Sequence, residues 1–278
     1  MKISNLAFMK TVIGNMIKRE FQGFTLFITS VCNLRCKYCF NLDNLGKGDD
    51  DLTYDEINKL ADHLPPMNGI IYSGGEPLLR EEIVEISEMF IKKNSVKGFG
   101  IPSNCVDGEN TLSKIKKILE LQPGANVVVC CGLDVFSENH NNLRGKGTYD
   151  KVCDTLKELV KLRDATKGLS VLVNSVVGKS SMPQLLEFVK FVRTFNSDLH
   201  SIEVVRDDTS KFQNLGAEDF ETVKTARLLI DALYRGNDLM LKLYRVRSKV
   251  LTDIQRSVLL EEGKWPVACL AGKTSFSG

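Results

Sequence analysis

Three cysteines lie close together near the start of the chain, in the run Val31-Cys-Asn-Leu-Arg-Cys-Lys-Tyr-Cys-Phe. Iron–sulfur clusters normally take four cysteine thiolates, so three of them in one loop, Cys32, Cys36 and Cys39, predict either a further ligand elsewhere or an iron left open to a non-protein ligand. The alternative is half of a structural zinc site, which usually has two pairs of ligands. The spacing favours a cluster over zinc, because the remaining cysteines form no second pair of that kind: Cys105, Cys130, Cys131, Cys153 and Cys269.

A second motif lies at the end of a short apolar run, Ile70-Ile71-Tyr72, which predicts a buried strand. The chain continues as Ser73-Gly-Gly-Glu-Pro. Gly74 and Gly75 can adopt backbone conformations that are closed to other residues, and they let a ligand approach the main chain closely. Glu76 adds a carboxylate that could bind the ammonium group of a ligand. We therefore predict that this strand end is a binding site that works together with the cysteine loop.

The two motifs together resemble those of the radical S-adenosylmethionine (SAM) enzymes. The Cys-x3-Cys-x2-Cys pattern of that family has an aromatic residue before the last cysteine, as Tyr38 is here, and its Gly-Gly-Glu-Pro motif is matched in full from Gly74 to Pro77. The resemblance implies one 4Fe–4S cluster, whose open iron is bound by the amine and carboxylate of SAM. It also implies that one electron, from a donor such as a flavodoxin or ferredoxin, cleaves SAM to methionine and a 5′-deoxyadenosyl radical, which abstracts hydrogen from a substrate. In such enzymes the cofactor carries out the chemistry and the protein positions it.

Strands and helices alternate along most of the chain. Apolar runs predict six strands at residues 24–29, 69–72, 98–102, 127–133, 169–177 and 199–205, and the fourth is apolar enough to be buried on both faces. Helices are predicted at residues 53–64, 80–93, 112–121, 149–166 and 184–195, the first with Thr53 and Glu56 at the spacing of a capping box. Right-handed βα units give a curved parallel sheet, and the resemblance specifies an α/β fold with a partial (βα)6 TIM-like barrel at residues 21–210.

Functional residues of such barrels gather at the C-terminal ends of the strands. Ser103 and Asn104 end the third strand and could offer hydroxyl and amide groups to the ribose or methionine part of SAM. Arg144, in the predicted loop 138–145, is a fixed cation suited to a ligand carboxylate. Asn174 is a polar residue inside the apolar fifth strand, and it could equally be a core amide with satisfied hydrogen bonds. Asp134 also ends a strand, but we do not include it in the predicted site.

The region after the fourth strand resembles more narrowly the branch of the family that has a SPASM-type C-terminal extension. The pattern Ser-Leu-Asp-Gly…His-Asp…Arg-Gly…Gly-x-Tyr/Phe is matched in part between Gly132 and Tyr149. Gly132 replaces the family serine, so a hydroxyl contact to the cofactor at this position cannot come from a side chain. Cys269 begins a Cys-x-Ala-Gly sequence like the opening of that extension, but only six residues follow Gly272 and none is a cysteine. We expect either a truncated form or a lost extension, with Cys269 as a free thiol.

Composition gives no argument for nucleic acid or a membrane as a partner. The formal net charge is +2, too small to indicate nucleic-acid binding, and no apolar run approaches the ~18 residues of a membrane span. The N-terminus lacks the features of a signal peptide, and a reducing compartment suits an oxygen-sensitive cluster, so we expect a cytoplasmic protein. Residues 1–20 predict an amphipathic helix that packs on the barrel rather than on a membrane, and residues 211–278 a helical tail with the start of a possible auxiliary-cluster extension.

Two classes of function remain open. The first is a radical SAM enzyme, with a peptide or protein substrate as the SPASM-like branch often has. The alternative within the same chemistry is a single-cluster enzyme that acts on a nucleotide, lipid or other small metabolite, because no second cluster can be assembled from this chain. The second class is a non-catalytic iron–sulfur protein. The intact Gly-Gly-Glu-Pro motif argues against it, since holding a cluster needs no ammonium acceptor.

Overall fold

The computed structural model of the protein describes residues 23–205 and 215–234. Six parallel strands form one sheet, and their order across the sheet is their order along the chain. They are β1 Gly23–Thr29, β2 Gly69–Gly74, β3 Gly98–Ser103, β4 Asn126–Gly132, β5 Leu169–Val177 and β6 Leu199–Val204. All six predicted strands are confirmed, with ends that differ by no more than two residues. This is the sheet of a partial TIM-like barrel, as predicted.

Helices connect the strands and cover one face of the sheet. They are α1 Tyr54–His63, α2 Ile83–Asn94, α3 Gly108–Glu120, α4 Ser137–Arg144, α5 Thr148–Ala165, α6 Leu185–Arg193 and α7 Ala217–Leu233. The predicted capping box of α1 is confirmed, since the Thr53 hydroxyl accepts a hydrogen bond from the Glu56 N–H at 3.2 Å and the Glu56 carboxylate accepts one from the Thr53 N–H at 2.8 Å.

Two helices differ most from their prediction. α3 begins four residues earlier than predicted, because Asp107 caps it by accepting a hydrogen bond from the Asn110 N–H at 3.1 Å. The segment that we predicted as a loop is mostly the helix α4. Leu143 is the only apolar residue of α4, so its sequence shows no helical period, and the helix is anchored instead by the buried His140, whose ring packs against Tyr149 at 5.8 Å.

The two faces of the sheet have different environments. In β4, Val127, Val129 and Cys131 are fully buried in the main hydrophobic core beneath the helices, whereas Val128 and Cys130 on the opposite face are half-buried. The prediction that this strand, and Cys130 with it, is buried on both faces is therefore wrong. The reason is that the described residues cover the concave face of the barrel only in part. A second core joins β6 to α6 and α7.

Several predictions fall outside the described residues. They concern the N-terminal helix at 1–20, the tail beyond residue 234 and Cys269. The division of the chain into segments 1–20, 21–210 and 211–278 stays a prediction. Within residues 23–205 and 215–234, no helix combines the length and the apolar character needed to cross a membrane.

Candidate active site

The cysteine loop follows the C-terminal end of β1 and is anchored to α4. The Lys37 N–H donates a hydrogen bond to the Leu143 carbonyl at 2.9 Å, and the Cys39 N–H donates one to the Cys36 carbonyl at 3.1 Å. The Leu34 N–H donates to the Cys32 sulfur at 3.4 Å. All three cysteines are half-buried free thiols. The loop therefore presents its thiols at the edge of the sheet where function was predicted.

The Gly-Gly-Glu-Pro turn is joined directly to the start of this loop. The Gly75 N–H donates to the Thr29 carbonyl at 2.7 Å, and the Glu76 N–H donates to the Val31 carbonyl at 2.8 Å. A Cβ atom at Gly74 would lie 2.2 Å from the Thr29 carbonyl oxygen, and one at Gly75 would lie 2.1 Å from that of Val31. These glycines thus permit a close approach to the protein's own backbone, and their contact with SAM stays a prediction.

Glu76 connects this turn to the end of β3. The residue is only 5% exposed, and its carboxylate accepts hydrogen bonds from the backbone N–H groups of Asn104 at 2.7 Å and Leu78 at 3.3 Å. Burial raises the pKa of the Glu76 carboxyl to about 7, although these hydrogen bonds and the charge of Arg144 act to lower it. A buried carboxylate of this kind is stabilised by a cation beside it. The side chain is therefore suited to an ammonium ligand as well as to its structural role.

Ser103 and Asn104 are buried at the end of β3, and their polar atoms contact the protein itself. The Asn104 side-chain amide donates to the side-chain oxygen Oδ1 of Asn33 in the cysteine loop at 2.8 Å, and its own oxygen accepts from the Val106 N–H at 3.0 Å. The Ser103 hydroxyl accepts from the Cys105 N–H at 3.0 Å. These residues connect β3 to the cysteine loop, and their role toward SAM stays a prediction.

Asp134, which we left out of the predicted site, connects the cysteine loop, α4 and β5. Its fully buried carboxylate accepts hydrogen bonds from Arg144 Nε at 2.6 Å, Arg144 Nη2 at 2.9 Å, the Val176 N–H at 2.9 Å and the Tyr38 hydroxyl. The Arg144 guanidinium also lies 5.7 Å from the centre of the Tyr38 ring. Burial acts to lower the pKa of Arg144, but the charge of Asp134 outweighs it and keeps the guanidinium charged. The structure thus brings Arg144 and Tyr38 together, on a carboxylate that sequence reasoning missed.

Asn174 lies on the concave side of β5, beside Gly132 of β4 and Ser201 of β6. Its side-chain oxygen accepts a hydrogen bond from the Ser201 hydroxyl at 2.5 Å. One of its polar atoms is therefore satisfied within the sheet, as the core-amide alternative expected. Its contact with SAM stays a prediction.

Asp51 was also missed, because the run Gly48-Asp49-Asp50-Asp51 reads as a solvated loop. Its carboxylate accepts hydrogen bonds from the Thr29 hydroxyl at 2.6 Å and the Ser30 N–H at 2.7 Å. Burial acts to raise the pKa of Asp51, but these hydrogen bonds outweigh it and the pKa is lowered. Asp51 therefore fixes the end of β1 from which the cysteine loop starts, and no local sequence signal separates it from its two acidic neighbours.

The three thiols are suitable ligands for an iron–sulfur cluster. Cys32, Cys36 and Cys39 share one short loop, and a thiolate at Cys39 would act to raise the pKa of both Cys32 and Cys36. Burial raises the pKa of Cys32, and it raises that of Cys36 to about 11, so bound iron would have to displace these protons. Among the described residues, no group of three His, Cys, Asp or Glu side chains is arranged to hold a single metal ion. A cluster has a different requirement, since its thiolate ligands are spread over several irons.

Comparison with known proteins decides the family. The sequence profile of the Radical SAM superfamily matches residues 26–192, a range that contains the cysteine loop, the Gly-Gly-Glu-Pro turn and Arg144. The chain belongs to the radical SAM superfamily. Membership implies a 4Fe–4S cluster and SAM as cofactors.

Individual relatives are distant. "Molybdenum cofactor biosynthesis protein 1" of Dictyostelium discoideum is 26% identical over 211 residues, which are 74% of this chain and 32% of that protein. The "Probable GTP 3′,8-cyclase" of Methanocaldococcus jannaschii is 25% identical over 222 residues, 79% of this chain and 72% of that protein. This chain thus spans about a third of the first relative's length. The solved structure "Native anSMEcpe with bound AdoMet and Cp18Cys peptide" has a TM-score of 0.56 at 17% identity, over 90% of this chain and 68% of that one, a likeness of fold alone.

Proposed function

We propose that the chain is a radical SAM enzyme that abstracts hydrogen from a small-molecule substrate. One observation carries the proposal: the cysteine loop and the Gly-Gly-Glu-Pro turn are held together by backbone hydrogen bonds, from Gly75 to Thr29 and from Glu76 to Val31. A site for an iron–sulfur cluster and an acceptor for a ligand ammonium therefore belong to one unit. A protein that only stored a cluster would need no such acceptor.

The cofactors have defined places in this proposal. Cys32, Cys36 and Cys39 hold a single 4Fe–4S cluster, which when bound supplies the electron that cleaves SAM. Glu76 accepts a hydrogen bond from the SAM ammonium, and Arg144 donates to its carboxylate. The rest of SAM is bound by the other predicted residues: Tyr38, Gly74, Gly75, Ser103, Asn104 and Asn174.

A small-molecule substrate is supported by the curated relatives. A protein named probable GTP 3′,8-cyclase aligns with 79% of this chain at 25% identity, whereas the structure with a bound peptide shares the fold at 17% identity. This reverses the order of preference that the SPASM-like sequence pattern suggested. GTP is the first substrate to test, and a nucleotide, lipid or other metabolite fits the same chemistry.

The test is anaerobic reconstitution of the full chain with iron and sulfide. We expect about four irons per chain and, after chemical reduction with SAM present, equal amounts of methionine and 5′-deoxyadenosine. Cys36→Ser should lose both the cluster and the cleavage, whereas Cys153→Ser, in the core beneath the helices, should keep both. About eight irons, zinc in place of iron, or a loaded chain that leaves SAM intact would contradict the proposal. Substrate choice is then read from the 5′-deoxyadenosine formed with GTP or with a short peptide.

A further inference from the structure

The end of β4 has an unusual neighbour. Gly132 is buried, and a Cβ atom built on it would lie 2.5 Å from Nη1 of Arg144 and 2.8 Å from its Cζ. No side chain at residue 132 could keep such distances without displacing the guanidinium. The family pattern has a serine at this position. Here the Arg144 guanidinium, which comes from the last turn of α4, fills the space where a serine side chain would begin.

The guanidinium is fixed in that space by Asp134. Two hydrogen bonds to the carboxylate use Nε at 2.6 Å and Nη2 at 2.9 Å. Neither bond uses Nη1, the nitrogen nearest to Gly132. A guanidinium has five N–H donors in one plane, so the orientation of Nη1 is fixed by the two bonds that the other nitrogens make. Because Asp134 is fully buried and also holds the Val176 N–H at 2.9 Å, the plane of the guanidinium is set by a group that is itself immobilised.

The fixed guanidinium lies beside the proposed SAM site. It is 5.7 Å from the centre of the Tyr38 ring, in the cysteine loop. Its positive charge also acts to lower the pKa of the Cys36 thiol and of the Glu76 carboxyl. These two residues belong to the two motifs that define the site. Within residues 23–205 and 215–234, the hydrogen bonds of the guanidinium to Asp134 use Nε and Nη2 and leave Nη1 to a ligand. A planar cation of this kind matches a carboxylate, which is one of the two groups of SAM expected to bind near the cysteine loop.

We propose that Gly132 and Asp134 are positioning residues for SAM binding. Gly132 leaves room for the guanidinium, Asp134 orients it, and Arg144 Nη1 donates a hydrogen bond to the SAM carboxylate from the space that a serine side chain would otherwise enter. This inference rests on the proposed function, since it requires that SAM binds beside the cysteine loop. The SPASM-like pattern carries both the serine and the arginine, whereas here the arginine stands alone and its guanidinium occupies the space of the serine side chain. Restoring the serine alone should therefore harm the site.

Reciprocal substitutions test the inference through the affinity of the cluster-loaded chain for SAM. Gly132→Ser should weaken binding about tenfold or more, because it displaces the guanidinium and so breaks a charge-assisted hydrogen bond. Arg144→Lys should do the same, because a lysine keeps the charge opposite Asp134 but lacks the donor over Gly132. The double variant Gly132→Ser/Arg144→Lys should bind SAM more tightly than either single variant. Without the guanidinium, the serine side chain fits beside residue 144 and its hydroxyl can contact SAM. If the two losses multiply instead, the inference is wrong.

Controls separate this inference from the proposed function. Gly98→Ser, at a glycine whose added Cβ would meet its nearest atom at an ordinary 3.6 Å, should leave SAM affinity and iron content unchanged. If Gly132→Ser does not hold iron, the inference is tested with Arg144→Lys and two ligands, SAM and decarboxylated SAM. This variant should bind SAM about tenfold more weakly, whereas its affinity for decarboxylated SAM should equal that of the wild type. Equal losses for both ligands would overturn the role of Arg144. A wild-type chain that loads its cluster but binds no SAM would overturn the proposed function as well.

Discussion

Glu76 and Asp134 each have a structural role and a proposed role in binding SAM. Glu76 accepts a hydrogen bond from the Asn104 N–H at 2.7 Å and so joins the ends of β2 and β3, while its charge is available to an ammonium ligand. Asp134 holds the Val176 N–H of β5 and orients Arg144 at the same time. A substitution that keeps the shape and one acceptor but removes the charge should therefore separate the two tasks.

Glu76→Gln is the substitution that does so at the ammonium site. The amide oxygen can still accept from the Asn104 N–H, but the charge-assisted bond to SAM is lost, so SAM affinity should fall about tenfold or more. Iron content should stay at the wild-type value, because none of the cysteines changes. Affinity is measured by equilibrium titration of the reconstituted chain, with the exposed Glu81→Gln as the matched control. Wild-type affinity in Glu76→Gln would remove the carboxylate from the SAM site.

At the scale of elements, the site depends on how two neighbouring strands end. β1 and β2 are paired along their length, and the register shifts between Phe27 and Thr29, just before the cysteine loop. There Gly75 passes so close to Val31 that a Cβ atom would lie 2.1 Å from the Val31 carbonyl oxygen. The obstacle is backbone, so the strand ends would have to separate in order to admit a side chain.

Gly75→Ala should therefore affect the cysteine loop, although it changes no ligand. We expect a lower iron content after reconstitution and a lower midpoint of thermal unfolding, because the added methyl breaks the junction between β1 and β2. Gly98→Ala provides the comparison, since its added Cβ would have ordinary contacts at 3.6 Å. Iron content and melting temperature that match those of the wild type in Gly75→Ala would contradict this account of the junction.

The sequence was sufficient for the elements whose own residues determine them. Apolar runs such as 127–133 and the capping box at Thr53 are local signals, and both elements are present in the structure. α4 was missed because it is stabilised by contacts from outside itself, such as His140 against Tyr149. Asp134 was missed for the same reason: its partners are distant in the chain, and its role follows from the fold rather than from neighbouring residues.

For the molecule as a whole, a buried histidine connects folding to pH. His200 of β6 is fully buried, its Nε2 is 2.8 Å from the Ser175 hydroxyl of β5, and its ring packs against Phe188 of α6 at 6.2 Å. Burial lowers its pKa to about 3, well below the ordinary value of 6.5. The folded state therefore holds this ring neutral at a pH where the unfolded chain binds a proton. His140 of α4 acts in the same direction, with a pKa that burial lowers to about 4.

The free energy of unfolding should consequently fall as the pH is lowered from about 6.5 towards 3. Within that window the unfolded state binds one more proton per buried histidine, which costs about 1.4 kcal/mol for each pH unit and each group. His200→Gln removes one of these groups. The free energy of unfolding, measured by urea denaturation at several pH values between 7 and 4.5, should therefore fall less steeply with decreasing pH than in the wild type, and the contribution of His140 should remain. His63→Gln, at an exposed position on α1, is the control and should keep the wild-type slope. If His200→Gln lowers stability equally at every pH, the histidine matters through its packing alone and its protonation has no part in the acid sensitivity of the fold.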